Sequence, residues 1–384
     1  MSSILFSIPV EWFEIRQRFH YFAETLAQRH ALTVLAPRSH RRLAQEGKWF
    51  ELLQPWSVSP LSPKGRILSV STLPFYRKSS SLVRFQWRTQ IARLTKAALA
   101  QQETYDILWI ADPTQLALAD VIRHRKLVYE CVDDYAGFWS DLSLKAHIIA
   151  LEGELARRAD LVVTTSRSLK TRLATHNPNT VLVGNGTDID YFASVAHAPE
   201  SFALPDDLIP IKEPLVGFYG AIGDWVDLDL LKRTAKARPD WTFVLIGPCF
   251  VDTSDLMSLP NVRLLGPRPF SALRHYLAHI KVWTLPFKIN EMTAAVDPLK
   301  IYEYLAAGRR VVSTYLPELE PLSAFLPLTR TFDQWMQALN EAVSRTLWTE
   351  AEYRTLITAL SGKDWRHLVM ELERQLEKTP ERDA

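Results

Sequence analysis

The stretch Asn290 to Thr314, NEMTAAVDPLKIYEYLAAGRRVVST, decides how the rest of the chain is read. Asp297 is a good helix N-cap, Pro298 suits the first helical position and Gly308 suits the residue just past the end. A helix of about three turns therefore runs directly into the β-branched strand Arg310–Thr314. A short helix feeding a short apolar strand is the repeating unit of an open parallel sheet covered by helices. The same alternation extends upstream, with strands expected at Leu215–Tyr219, Thr242–Gly247, Val262–Leu265 and Val282–Pro286. Earlier still come Ser3–Ile8, Leu32–Ala36, Ile107–Ile110, Leu127–Cys131, Leu161–Thr164 and Thr180–Val183. Helical stretches such as Phe13–Arg29 and Leu82–Gln101 lie between them.

Ala196 to Pro214 holds four prolines and no regular period, so the domain linker is expected there. The division is then residues 1–195 as the first domain, 196–214 as the linker and 215–360 as the second domain. Residues 361–384 form a closing helix, Asp364 to Lys378, and a tail. The fold class is α/β, with two tandem Rossmann-like doubly wound domains facing a cleft at the carboxyl ends of their strands.

Composition agrees with a globular chain. Of 384 residues, 47% are apolar and 23% charged, and no run of roughly 18 apolar residues could span a bilayer. The first ten residues lack a basic start and read as a strand, not a secretory signal. Cys131 and Cys249 make no CxxC pair, which fits a reducing, cytoplasmic setting. The net charge of +2 is unevenly spread: residues 1–100 carry 15 basic and 5 acidic side chains. Between Pro60 and Ala100 there are eight basic residues and no acidic one, with Phe75, Tyr76, Phe85 and Trp87 among Arg77, Lys78, Arg84 and Arg88. Cations beside aromatics suit an anionic membrane surface, so residues 60–100 are expected to meet one from the cytoplasmic side. No nucleic-acid motif accompanies them, and a nucleic-acid partner is not expected. A solvated basic face is the plain alternative.

Several segments carry chemistry. The amino end of the helix after Asp297 offers free N–H groups to a phosphate, with Lys300 in its first turn and Glu303 one turn further on. An exposed Lys300–Glu303 pair would be the bland outcome. Asp133 and Asp134 follow the strand Leu127–Cys131, where a carboxylate can accept a proton or stabilise developing positive charge. One of them could instead cap the next helix. Arg16 and Arg18 open the first helix and are candidates for an acceptor phosphate, or for a basic surface face. The ten histidines show no metal spacing, His275 and His279 included.

The segment PLKIYEYLAAGRRVVST resembles the donor-binding segment of GT-B-fold glycosyltransferases, the group-1 type of bacterial polysaccharide biosynthesis. Ala159-Asp160-Leu161-Val162-Val163-Thr164-Thr165-Ser166, Gly184-Asn185-Gly186-Thr187-Asp188 with Phe192, Leu215 to Ile222, and Pro260-Asn261-Val262 with Leu265-Gly266 are similar to further segments of that family, in order. The resemblance implies a sugar transferase that takes a nucleotide-diphosphate sugar and needs no bound metal or other cofactor. Glu303 would hold the ribose, the helix amino end at Pro298, Leu299 and Lys300 the diphosphate, and Gly220 the glycine turn. Arg268 would be a second phosphate cation. A lipid-linked or polysaccharide acceptor would approach along the first domain, and Asp134, ahead of Asp133, would do the chemistry.

The departures are specific. Many relatives carry a glutamate eight residues before Glu303, where this chain has Ala295; Asn290, Glu291 or Thr293 could replace that contact, and Asn290 is the donor-side candidate. The Arg and Lys often found after the glycine turn are replaced by Gly223-Asp224-Trp225-Val226-Asp227. Asp297 would repel a diphosphate at the helix end and is expected to turn away or to bond a sugar hydroxyl. Trp12, Trp139 and Trp225 follow strand ends and could stack on sugar rings, or serve as core or rim residues. A non-catalytic nucleotide-sugar module of the same fold, or a sugar-nucleotide epimerase or hydrolase, remains the alternative. A dehydrogenase is disfavoured, since no GxGxxG follows an expected strand.

Overall fold

The computed structural model describes residues 1–13, 16–38, 55–71, 80–345 and 347–380. The chain divides into two compact units, Met1–Gly184 together with the chain from Leu368 onward, and Asn185–His367.

The first unit is built on one sheet. Its strands are β1 Ser3–Ser7, β2 Ala31–Arg38, β3 Trp56–Ser62, β4 Gly65–Ser71, β5 Thr104–Ile110, β6 Arg123–Cys131, β7 Leu161–Thr164 and β8 Thr180–Leu182. Their order is β3-β4-β2-β1-β5-β6-β7-β8, and only β3 runs antiparallel, in a hairpin with β4. The order reverses between β1 and β5, so the carboxyl ends of β1, β5 and β6 surround a topological switch point. Strand β1 is apolar on both faces (Ile4, Leu5 and Phe6 are buried), as a central parallel strand must be. The β3–β4 hairpin is not foreseen by the apolar pattern, because serines and prolines interrupt it. Helix Ser80–Leu99 follows.

The second unit has strands β9 Leu215–Tyr219, β10 Thr242–Ile246, β11 Val262–Gly266, β12 Val282–Leu285, β13 Arg310–Thr314 and β14 Leu328–Thr329, in the order β11-β10-β9-β12-β13-β14. Every paired strand is parallel, and the switch point lies between β9 and β12. Its core centres on Trp283, which stacks on Tyr304 with centroids 5.0 Å apart and meets Tyr219 edge-on at 5.3 Å. Such aromatic pairs fix the helix Leu299–Ala306 against β9 and β12.

Three expectations are corrected. The boundary falls after Gly184, because Phe192 and Val195 of helix Ile189–His197 lie in the second unit's core. Residues 196–214 are not a free linker: Leu208 enters the same core, and the Phe202 carbonyl is bonded by His279 Nε2 at 2.9 Å. The helix expected over Phe13–Arg29 is the shorter Arg18–Leu26, and Glu14 and Ile15 lie outside the described residues. The closing helix, Trp365–Lys378, returns to the first unit from Leu368, where Glu373 accepts from His30 Nε2 at 3.0 Å.

Candidate active site

In the second unit the carboxyl ends of β9 and β10 run into Gly220 and Gly247, whose φ angles are +146° and +147°. Only glycine adopts that backbone without strain. A Cβ on Gly247 would lie 1.9 Å from the Gly220 carbonyl oxygen, so the two turns can pack only as bare backbone. A Cβ on Gly220 would lie 3.1 Å from Lys300 Cε. The lysine alkyl chain therefore crosses the glycine turn, bringing together two residues that the sequence assigns to the phosphate site.

Helix Leu299–Ala306 begins one residue later than its pattern implies. Pro298 is the N-cap, in extended backbone, and no side chain caps this end. Asp297 is not the cap. Its carboxylate is buried and accepts from the Asn185 backbone N–H at 2.7 Å and the Tyr302 hydroxyl at 2.6 Å, with Lys363 Nζ at 3.6 Å. The charge that would repel a phosphate is thus turned away and neutralised.

Glu303 is 3% exposed, so the exposed pair with Lys300 does not form. The Tyr219 hydroxyl donates to Glu303 Oε2 at 2.6 Å. Tyr304 in turn bonds the Tyr219 backbone, accepting from its N–H at 3.0 Å and donating to its carbonyl at 3.1 Å. Burial, opposed by that backbone bond and helped by Glu303, pushes the Tyr304 phenol well above its ordinary range, so it remains a donor. The carboxylate of Glu303 is held from β9, by the hydroxyl of its last residue, Tyr219.

Two further donor-side residues are occupied otherwise. Asn290 caps the short helix Glu291–Ala294, accepting from Thr293 N–H at 3.0 Å, and the Thr293 hydroxyl bonds the Lys288 carbonyl. Arg268 gives Nε to the Tyr276 hydroxyl at 2.9 Å, Nη2 to Asp207 at 2.6 Å and Nη1 to the Leu265 and Pro267 carbonyls. It is a strut, not an open phosphate cation. Ala295 is buried.

In the first unit, Asp133 and Asp134 follow β6. Asp134 is 28% exposed, with Arg172 Nη2 at 3.9 Å. Arg172 is itself anchored on buried Glu152, which also accepts from Tyr129 at 2.9 Å and from Cys131 Sγ at 3.3 Å. Neither aspartate caps the following helix, Leu142–Arg158; Asp141 does. A third carboxylate was not singled out from the sequence. Asp112 follows β5, beside β6 in the sheet, and accepts from the Thr114 N–H at 2.8 Å and hydroxyl at 2.7 Å. Burial pushes its pKa up against those bonds. The rule that drew attention to Asp133 covers Asp112 too, since it closes the apolar run of β5.

The arginines of the first helix are corrected. Arg18 is 3% exposed, its Nε 2.7 Å from Glu130 Oε1 and its Nη1 2.9 Å from the Gly184 carbonyl. Arg16 pairs with Glu24 and lies over the Tyr21 ring. Both cations are spent on the chain's own carboxylates, so neither is poised for an acceptor phosphate. Trp12 packs on His20, centroids 4.4 Å apart, and Trp139 on Trp87 at 5.6 Å. Phe75, Tyr76, Arg77 and Lys78 lie outside the described residues. Among the described residues, no cluster of three or more His, Cys, Asp or Glu could hold a metal ion, and no helix is long and apolar enough to cross a membrane.

The chain is similar to several known proteins. Residues 16–191 match the family model for Glycosyltransferase Family 4. The chain is 28% identical over 324 residues to a Bacillus subtilis (strain 168) protein named as a teichuronic acid biosynthesis glycosyltransferase, TuaH, covering 79% of this chain and 78% of that one. Among solved structures it is similar to Anabaena Alr3699/HepE, in complex with UDP and glucose, with a TM-score of 0.62 and 16% identity over 99% of both chains. It is also similar to an UDP-forming trehalose-phosphate synthase from Burkholderia xenovorans, with a TM-score of 0.71 and 12% identity over 99% of both. Two parallel-sheet domains in tandem, a family match across most of the first and a curated relative spanning much of the chain make this protein similar to GT-B-fold glycosyltransferases of the group-1 type.

Proposed function

We propose that the chain transfers a sugar from a nucleotide-diphosphate sugar to a lipid-linked or polysaccharide acceptor at the cytoplasmic face of the membrane. The observation that carries the donor reading is the meeting of Lys300 with the glycine turn at Gly220, beside a helix end that no side chain caps. Free N–H groups, helix dipole and an ammonium together take a diphosphate without a metal ion. Glu303, pre-oriented by Tyr219, would accept from the ribose hydroxyls. The uridine diphosphate bound by Alr3699/HepE makes that nucleotide the first to test.

In the transfer, the bond from the anomeric carbon to the diphosphate breaks and one to the acceptor oxygen forms. The acceptor proton must leave. Asp134, partly open and steadied by Arg172, serves either to take that proton or, where the departing diphosphate takes it, to stabilise positive charge on the sugar. Retention at the anomeric carbon follows from the family resemblance alone.

Calorimetric titration with UDP, GDP, ADP, dTDP and CMP, each with and without magnesium, tests the donor site on wild type and Glu303→Ala. The expected result is tight, magnesium-independent binding of one diphosphate that the variant weakens. No binding of any nucleotide would favour a non-catalytic module, a reading that Ala295 also supports.

A further inference from the structure

Helix Ser80–Leu99 contains no acidic residue, and its outward stripe includes Leu82, Phe85 and Arg88. It packs on helix Leu142–Arg158 through Val83, Trp87, Leu144 and Ile148, and Arg84 Nη2 bonds Ser143 Oγ at 2.8 Å. The outward stripe of that second helix is Leu142, Ala146, Ile149 and Ala150, apolar where a solvated helix carries charge. Phe85 is 58% exposed, Leu142 80% and Ile149 50%. Exposed apolar side chains on two helices that pack together suit a partner surface.

Between these helices and the turn Pro113–Gln115 lies a cavity of about 260 Å³, lined by Arg84, Trp87, Arg88, Ile91, Asp120 and His147 among others. Its one lining carboxylate, Asp120, is held by Arg158 at 2.7 Å. Arg84 Nε is shielded from solvent and has no hydrogen-bond partner among the described residues. Burial, then Arg84 and Arg88, lowers the pKa of His147, as expected in a site of positive potential. The cavity is therefore lined by two arginines and one carboxylate that a third arginine already holds, and exposed apolar side chains stand on the two helices beside it.

We propose that this face seats an anionic membrane lipid, its phosphate between Arg84 and Arg88 in the cavity beside Trp87 and its acyl chains over Phe85, Leu142 and Ile149. The inference deepens the membrane reading above and adds to it helix Leu142–Arg158, which lies outside residues 60–100. Cation and apolar surface act together here: each basic residue near an anionic surface contributes on the order of 1 kcal/mol, and the exposed side chains add burial in the interface.

The test is flotation of the full chain at low salt with phosphatidylcholine vesicles, with and without phosphatidylglycerol. Wild type should float only with the anionic vesicles. Arg84→Ser with Arg88→Ser should weaken partition roughly thirtyfold, the equivalent of two basic residues. Phe85→Ser with Ile149→Ser should weaken it as well, and Arg233→Ser with Arg354→Ser on the second unit should not. Unchanged melting and unchanged uridine diphosphate binding would show that the variants fold. If wild type binds anionic vesicles and the arginine pair is indifferent, this seat is wrong while the membrane reading stands. If wild type binds no vesicle, both fall. Calorimetric binding of glycerol phosphate that the arginine pair abolishes, with no partition of wild type to anionic vesicles, would overturn the lipid as occupant in favour of a small phosphate.

Discussion

The carboxyl ends of the two sheets are built from opposite materials. In the second unit they are bare backbone, with Gly220 and Gly247 in contact, one lysine laid across them and one buried glutamate behind. In the first unit they are carboxylates, Asp112 after β5 and Asp133 and Asp134 after β6, with Glu130 and Glu152 buried beneath. The basic residues near the first end, Arg18 and Arg172, are already engaged by Glu130 and Glu152. On the function proposed here, the first of these ends would receive an anion, and the other would accept a proton or face positive charge. A doubly wound sheet positions both kinds of site at its switch point, and the residues at the strand ends decide which kind it becomes.

The largest break in this contrast should come from Gly247→Ala. A Cβ at 1.9 Å from a carbonyl oxygen, on a backbone with φ of +147°, forces β9 and β10 apart at their ends. We expect a loss on the order of 4 kcal/mol or more, seen in urea unfolding, and no nucleotide binding. Wild-type stability would mean that the two turns need not touch.

Arg18→Met should cost about 3–5 kcal/mol, because Glu130, whose pKa burial already raises, would be left buried without the partner that favours its charged form. Nucleoside diphosphate affinity of the folded variant should not change. A variant as stable as wild type that has lost acceptor binding would restore Arg18 to the acceptor site.

Asp134→Asn sharpens the first unit's role. Transfer should fall on the order of 10²–10⁴-fold with nucleotide binding intact, the range for a general acid or base. A deeper loss in Asp112→Asn than in Asp134→Asn would move that role to the end of β5.

Glu303→Ala is the smallest of these effects. Loss of a charged hydrogen bond to ribose should cost about 1.5–3 kcal/mol of nucleotide affinity in calorimetry. Equal affinity would leave Glu303 as no more than the partner of Tyr219.

Much of this is legible in the sequence alone. Short β-branched runs alternating with helical stretches placed β1, β2 and β5 to β13, because a parallel strand buried on both faces shows up as a continuous apolar segment. The hairpin of β3 and β4 was not legible: WSVSPLSPKGRILSV reads as loop until β2 supplies the pairing partner of β4. Glu303, Lys300 and Gly220 were legible as separate motifs, though not that the Lys300 side chain crosses the glycine turn. Asp297 reads as a cap from its place before Pro298, yet its carboxylate is drawn off by Asn185, 112 positions away.

The sequence by itself determined which elements form and which residue types stand at the strand ends, since backbone propensity and apolar periodicity are local properties. It also determined the charge inventory of each stretch. Tertiary structure alone decided which charges remain available. Arg18 finds Glu130 112 positions downstream, and Arg268 finds Asp207 61 positions upstream. Whether a cation serves a ligand or the chain's own carboxylate depends on who sits within hydrogen-bond distance after folding, and burial makes that choice strong where it applies: an unpaired charge inside the protein costs several kcal/mol, so Arg18, 3% exposed, is held by Glu130.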